Sequence, residues 1–226
     1  MLQAVIFDFD GVITDSEILH FRAFNTVLAP YNVQLTKPEY YKSYLGMTDV
    51  DCYKALIGEG RLAVEESHVK DLVQQKTRIF EQLAHADGRI IEGVREFLDM
   101  LSENKVPLAI CSGALRAEIE LILEEAGLCS LFEVIVSAEE VKRGKPDPYG
   151  FVLALEKLNK GRWRAIRAQR CVVIEDSHWG LQAAKGAKMR TIGVTNSYDA
   201  EQLKQADKIV DRLSDVSMQD LIQLCS

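Results

Sequence analysis

Two aspartates separated by one residue follow the first apolar run of the chain. This run, QAVIFD at residues 3 to 8, ends on Asp8, and Phe9, Asp10 and Gly11 follow it. A carboxylate can attack phosphorus to form an aspartyl-phosphate, and a second carboxyl group beside it can move protons to and from the reacting oxygens. The pair therefore predicts phosphoryl chemistry in which Asp8 is the nucleophile and Asp10 the acid and base.

Further polar residues that could serve this chemistry follow three later apolar runs. They are Ser112 and Gly113 after PLAIC, Lys145 in the loop GKPDP, and Glu175 and Asp176 at the end of CVVIED. A serine hydroxyl, backbone N–H groups and a lysine ammonium group can all bind the oxygens of a phosphoryl group in transfer. Ser112, Gly113 and Lys145 are therefore the predicted phosphate-binding residues.

Acidic side chains gathered at one place repel one another and need a cation or shifted pKa values. Mg²⁺ suits such a cluster better than zinc, because it prefers oxygen ligands, keeps several waters and commonly bridges carboxylates to a substrate phosphate. It would also neutralise the repulsion between a carboxylate nucleophile and an anionic substrate. We therefore expect Mg²⁺ as the cofactor and a small phosphorylated metabolite as the substrate.

Short apolar runs alternate with amphipathic stretches over most of the chain. The runs are QAVIFD, PLAICS, FEVIVS, RCVVIED and MRTIGV, and KIVD at residues 208 to 211 could add an edge strand. Strands that are apolar throughout and separated by helices indicate a parallel α/β sheet. Ligands bind outside the carboxyl ends of such strands, and the candidate residues above lie at those ends.

The interval from residue 15 to residue 85 differs from the rest, because it contains several helical patterns and no convincing buried strand. It predicts an α-helical cap domain at 15–85, inserted into a catalytic core formed by 1–14 and 86–226. The alternative is that these helices cover one face of the sheet.

Composition limits the kinds of partner. A net charge of −7 and a pI near 5.2 argue against nucleic acid and anionic membranes, which require a dense cationic surface. Five scattered cysteines without a CxxC pair are typical of a reducing compartment. With no leader pattern and no apolar run of the ~20 residues that a membrane span needs, we expect a cytoplasmic protein. Its assembly could be a monomer or a small homo-oligomer.

Four motifs together resemble the haloacid dehalogenase superfamily, specifically its phosphatase and phosphomutase branch with an α-helical cap. In chain order they are FDFDGVITDSE, CSG, KRGKPDP and IEDSHWG. The resemblance covers essentially the whole chain and implies a Rossmann-like parallel sheet in the order 3-2-1-4-5.

The resemblance also implies roles for single residues. Asp8 would be the nucleophile and a metal ligand, and Asp10 would be the acid/base and contribute its backbone carbonyl to the metal. Asp176 would be a further Mg²⁺ ligand, and Glu175 would either ligate the metal or orient the other ligands. An acid at position 10 favours phosphate esters, because a halide leaving group needs no proton.

Within this branch the chain is similar to β-phosphoglucomutase and to sugar-phosphate phosphatases. His20 and Lys76 match positions that the mutase uses near the hinge and for substrate contact, and the loop YLGMTD, with Gly46 and Thr48, resembles the specificity loop of the cap. Asp49 stands where the mutase has an arginine for the second phosphate, and an anion there should repel a bisphosphate.

We therefore expect a phosphatase, with a phosphomutase as the alternative and a non-catalytic binding or regulatory protein as a lesser one. Two of the cap residues also have simpler interpretations. His20 could be a packing residue of its helix, and Lys76 is more typical of a solvated surface lysine.

Overall fold

The computed structural model describes residues 1–45, 47–87 and 90–226, with the side chain of residue 87 excluded. These residues divide into two compact units. One comprises Met1–Asp15 with Arg89–Ser226, and the other comprises Ser16–Gly88. That the second unit acts as a cap stays a prediction.

Six parallel strands form the sheet of the first unit. They are β1 (Ala4–Phe7), β2 (Leu108–Cys111), β3 (Val134–Val136), β4 (Cys171–Glu175), β5 (Arg190–Val194) and β6 (Lys208–Val210). Their order is β3-β2-β1-β4-β5-β6, which confirms the expected 3-2-1-4-5 arrangement and the additional edge strand. The strand order reverses at β1, between β2 and β4.

The central strands are buried on both faces, as their sequences predict. Every residue of β1, β2 and β4 is buried. On one face of the sheet, Ile6 and Val173 join Phe151 and Ala184 in an apolar cluster. Because alternate residues of a strand point to opposite faces, runs without polar alternation require helices on both sides.

Amphipathic helices precede or connect these strands, and the last of them follows β6. They are α5 (Val94–Glu103), α6 (Arg116–Glu125), α7 (Tyr149–Asn159), α8 (His178–Gly186) and α9 (Met218–Leu224). The helix α8 begins at the N-cap Ser177, whose side chain accepts a hydrogen bond from the backbone N–H of Gly180. This cap places the start of α8 immediately after the acidic end of β4.

The second unit is helical in its described residues. It contains α1 (Glu17–Leu28), α2 (Lys37–Ser43), α3 (Asp49–Gly58) and α4 (Val69–Asp87). The ring of Phe24 packs against those of Tyr40 and Tyr53 in the unit's own apolar core. Among the described residues of the whole chain, no helix is long and apolar enough to cross a bilayer.

Candidate active site

The side chain of Lys145 joins two carboxylates that come from different strands. Its Nζ donates to Oδ1 of Asp8, at the end of β1, and to Oε1 of Glu175, at the end of β4, over 2.6 Å. Asp8 is 7% exposed and Glu175 is fully buried. The backbone N–H of Asp8 also donates to the carbonyl of Ile174 at 2.9 Å. Pairing of β1 with β4 therefore fixes the distance between the carboxylates of Asp8 and Glu175, which Lys145 bridges.

The carboxylate of Glu175 is held on its other side by the start of α8. Its Oε2 accepts hydrogen bonds from the backbone N–H of Ser177 at 3.0 Å and from the Ser177 hydroxyl at 2.8 Å. A Cβ atom added at Gly180 would overlap the same carboxyl group. Glu175 thus has a fixed orientation, and the lack of a side chain at Gly180 provides the space it occupies.

Three acidic residues form a compact group at this edge of the sheet. Oxygen atoms of Asp8, Glu175 and Asp176 all lie within 4.8 Å of one another, and all three residues are buried. Burial, followed by the charge of Glu175, raises the pKa of Asp176 to about 7. Burial also raises the pKa of Asp8, and the nearby acids add to that effect while Lys145 opposes it.

The pKa of Lys145 shows the balance of charge in this group. Burial alone would lower it, but the carboxylates of Asp8 and Glu175 outweigh that effect and raise the pKa. Lys145 therefore remains a cation, and one cation faces three acids. The surplus negative charge and the carboxylate oxygens fit a divalent cation such as Mg²⁺. Asp8 and Asp176 are the acids that could bind it, because the carboxylate of Glu175 is held by Ser177 at the start of α8.

Asp10 lies next to the group of three acids but, among the described residues, is not a member of it. The Ser112 hydroxyl lies 3.5 Å from Oδ2 of Asp10, at the limit of a hydrogen bond, and accepts from the backbone N–H of Ala114 at 3.0 Å. Gly113 follows on the surface, with open space where a side chain would stand. The loops after β1 and β2 therefore bring Asp10, Ser112 and Gly113 to the same edge as Asp8.

Gly11 allows the chain to turn away from β1. Its φ is +75°, which favours glycine, and a Cβ atom there would overlap the carboxyl group of Asp176. The carbonyl of Gly11 accepts a hydrogen bond from Nδ2 of Asn196 at 2.7 Å. Ser197, the next residue, forms a hydrogen bond with the Asp176 side chain that lowers the pKa of this carboxyl group.

Three further residues at this edge, Asn196, Ser197 and Ser177, were not predicted from the sequence as parts of the site. Asn196 and Ser197 follow the carboxyl end of β5, and Ser177 follows that of β4, so the rule that located the other residues applies to them as well. Asn196 and Ser197 lie outside the four motifs, and their side chains carry no charge that would mark them as functional.

The residues predicted to contact substrate from the cap all belong to the second unit. Thr48 is the N-cap of α3, and its hydroxyl accepts from the backbone N–H of Asp51 at 3.2 Å and donates to the Asp51 carboxylate at 2.6 Å. Gly46 lies outside the described residues. Thr48 therefore has a structural role as the N-cap of α3.

The interpretation of Lys76 as a surface lysine is wrong, because its side chain is 1% exposed. Nζ of Lys76 lies 2.9 Å from Oδ1 of Asp49 and 2.5 Å from Nδ1 of His20, and it stands over the rings of Phe24 and Phe80. A buried lysine requires such a charged partner. Lys76 thus forms an ion pair inside the second unit.

His20 is the neutral member of this cluster. Its ring stacks on Phe80 with the centroids 4.3 Å apart, as a packing residue would. Burial, followed by the charge of Lys76, lowers the pKa of His20 to about 3. A neutral His20 can therefore accept a hydrogen bond from Lys76 through Nδ1.

Comparison with known proteins gives a family and several relatives. The family model described as haloacid dehalogenase-like hydrolase matches residues 5–194. A phosphorylated carbohydrates phosphatase of Thermotoga maritima is 31% identical over 211 residues, covering 92% of this chain and 93% of the relative.

Two solved structures show the same fold. The structure of CbbY from Rhodobacter sphaeroides in complex with phosphate superposes with a TM-score of 0.84 at 25% identity, covering 98% of this chain and all of that one. β-Phosphoglucomutase from Clostridium difficile gives a TM-score of 0.79 at 23% identity, covering 100% of this chain and 97% of that one.

Substitution of Gly180 tests whether the start of α8 positions Glu175. Gly180→Ala should lower the free energy of unfolding by about 1–3 kcal/mol, because the new methyl group displaces a buried carboxylate or shifts the helix. Gly58→Ala is the matched control, since it also lies in a helix and has open space around the added atom. Urea unfolding of the two variants measures the difference, and equal stability would show that Glu175 is not held in this way.

Proposed function

Because this chain belongs to the haloacid dehalogenase-like hydrolases, we propose that it is a Mg²⁺-dependent phosphatase that hydrolyses a small phosphomonoester, such as a sugar phosphate, through a phosphorylated Asp8. The observation that carries the proposal is the position of Asp8 in a buried group with Glu175, Asp176 and the cation of Lys145. Such a group holds one carboxylate oxygen ready for attack and supplies positive charge beside it.

In the first half of the reaction, an Asp8 oxygen attacks phosphorus while the bond to the ester oxygen breaks. Asp10 donates a proton to the departing alkoxide, and the phosphoryl group is left on Asp8. In the second half, Asp10 takes a proton from water as the water oxygen attacks phosphorus, which releases phosphate and restores the Asp8 carboxylate. Asp8 can act as the nucleophile and Asp10 as the acid and base because, of the two, only Asp8 belongs to the group of three acids.

The other residues of the site stabilise charge. Lys145 faces the attacking Asp8 and can neutralise the transferring oxygens, and the Ser112 hydroxyl with the N–H groups around Gly113 can donate to them. Asp8, Asp176 and the Asp10 carbonyl would hold Mg²⁺, with Glu175 orienting them. When bound, Mg²⁺ neutralises nucleophile and phosphate and so permits their approach.

The ion pair of Lys76 with Asp49 favours hydrolysis over mutase activity. A mutase must bind a bisphosphate and so needs a free cation for the second phosphate. At position 49 this chain has an acid in place of that cation, and the charge of Lys76 is already paired with it. The phosphatase hypothesis also agrees with the name of the Thermotoga maritima relative. We propose accordingly that the second unit is the cap and that Thr48 belongs to its substrate-facing part, whereas Lys76 and His20 act inside that unit through their contacts with Asp49 and Phe80.

A panel of phosphorylated metabolites tests the function. We expect release of inorganic phosphate from at least one small phosphomonoester in the presence of Mg²⁺, and loss of that activity with EDTA. β-Glucose 1-phosphate with a bisphosphate activator distinguishes the alternatives, because a mutase would form glucose 6-phosphate in place of free phosphate. Inactivity on the whole panel with Mg²⁺ would favour a non-catalytic role.

Asp8→Asn should reduce turnover to below about one ten-thousandth of the parent rate, because the amide is a poor nucleophile of nearly the same shape. The retained shape should keep the fold, which cooperative thermal unfolding would verify. Steady-state phosphate release is the readout. Substantial residual activity in a folded variant would exclude Asp8 as the nucleophile.

Asp10→Asn should slow hydrolysis of alkyl phosphates by about 10²–10⁴-fold, the usual contribution of a general acid or base. Phosphorylation of Asp8 by 4-nitrophenyl phosphate should be less affected, because its leaving group needs little protonation. The burst of nitrophenolate before steady state measures that step. An equal loss for both leaving groups would contradict the role of Asp10 as the acid.

A further inference from the structure

The segment between α7 and β4 carries a charge opposite to that of the rest of the chain. Five of the eleven residues from 160 to 170, which we term the cationic loop, are Lys or Arg and none is Asp or Glu, whereas the whole chain has a net charge of −7. In the middle of this loop stands Trp163, which is 88% exposed. The proposed catalytic residues make no use of this loop.

Trp163 is exposed on a backbone that hydrogen bonds hold in place. The side-chain amide of Asn159 spans the loop, since Oδ1 accepts from the N–H of Ile166 at 2.7 Å and Nδ2 donates to its carbonyl at 3.1 Å. Ile166 is buried, and the N–H of Arg167 donates to Oε1 of Gln3 at 2.9 Å. The loop therefore has an anchored backbone, from which the indole ring of Trp163 extends into solvent.

Arg162 fixes the loop next to Trp163. Its Nε donates to the carbonyl of Leu158 at 2.6 Å, and its guanidinium group pairs with Glu133. A single exposed apolar residue is ordinary on a protein surface. A tryptophan held on an anchored loop beside unpaired cations is a more specific arrangement.

Three cations within four positions of Trp163 in the chain are available for a partner. Lys160, Arg164 and Arg167 are exposed, and within the described ranges no side-chain hydrogen bond or ion pair engages them. Tryptophan and arginine are the residues that most often dominate the binding energy of protein interfaces. Their combination here complements an acidic segment that also carries apolar side chains.

The loop lies at the opposite edge of the sheet from the candidate active site. It leads into the amino end of β4, whereas Glu175 and Asp176 lie at its carboxyl end. Five strand residues separate the two edges by on the order of 15 to 20 Å. A partner bound at the loop would leave the catalytic edge open.

We propose that the cationic loop is a docking site for an acidic, partly apolar segment of a partner protein. A peptide segment fits better than nucleic acid or an anionic membrane, because those polyanions extend beyond the loop and meet the negative charge of the remaining surface. Salt screens interactions between charges that lie more than about 8 Å apart. A short acidic segment can therefore interact with the loop without being repelled by more distant acids. The proposal is independent of the phosphatase activity.

Binding of a labelled peptide tests the proposal. The probe is a fluorescein-labelled peptide in which Glu alternates with Leu, and its counterpart with Gln for Glu is the charge control. We expect the acidic peptide to raise fluorescence anisotropy and the Gln peptide to have no effect. In the Trp179→Phe protein, where Trp163 is the remaining tryptophan, the acidic peptide should also shift the emission of Trp163.

Variants of the loop locate the binding. Trp163→Ala and the double variant Arg164→Glu with Arg167→Glu should each weaken binding by about ten-fold or more, as loss of a central interface residue does. Lys54→Glu, an exposed cation in the second unit, should change affinity less than about two-fold if the effect is local. Thermal unfolding should be unchanged in all of them, because the altered side chains are exposed.

Several results would overturn the proposal. They are absence of acidic-peptide binding, equal binding of the Gln peptide, or an equal loss in Lys54→Glu. Single-stranded RNA or phosphatidylserine vesicles that shift Trp163 emission where the acidic peptide does not would assign the loop to another kind of ligand. Sedimentation velocity that shows self-association abolished by Trp163→Ala would assign it to a second copy of this chain.

Discussion

The ammonium group of Lys145 holds together carboxylates that would otherwise repel one another. It contacts Asp8 and Glu175 at the ends of two adjacent strands, and Asp176 completes the acidic group. Burying three acids with one cation leaves surplus negative charge, which burial makes costly. The same imbalance makes the group suitable for a divalent cation, whose charge would in turn offset that of an anionic substrate.

The rest of the first unit serves to maintain this arrangement. Parallel pairing of β1 with β2 and β4 brings the loops after these strands to one edge. A side chain at position 11 or 180 would overlap one of the acids, so Gly11 and Gly180 provide the space that these acids occupy. Ser177 caps α8 and also donates hydrogen bonds to Glu175. Packing of the apolar strands thus determines where the charged groups meet.

A second buried lysine follows the same physical rule in the second unit. Lys76 is enclosed by aromatic rings and paired with Asp49, and burial together with the charge of Lys76 lowers the pKa of His20 and keeps it neutral. Here a single acid balances a single cation, so no surplus charge remains for a metal ion. The two lysines show how the number of acids around a buried cation separates a candidate catalytic site from an internal ion pair.

The sequence by itself determined the parallel α/β sheet, its edge strand and the residues at the strand ends, because uninterrupted apolar runs and the polar residues that follow them are local patterns. It also gave the family, through four motifs in order. Only the tertiary structure decided that Lys145 bridges Asp8 and Glu175, that Asn196 supports the turn at Gly11 while Ser197 forms a hydrogen bond with Asp176, and that Lys76 is buried. Those facts depend on which distant segments pack together, and an ion pair between residues far apart in the chain leaves no periodic signal in either one.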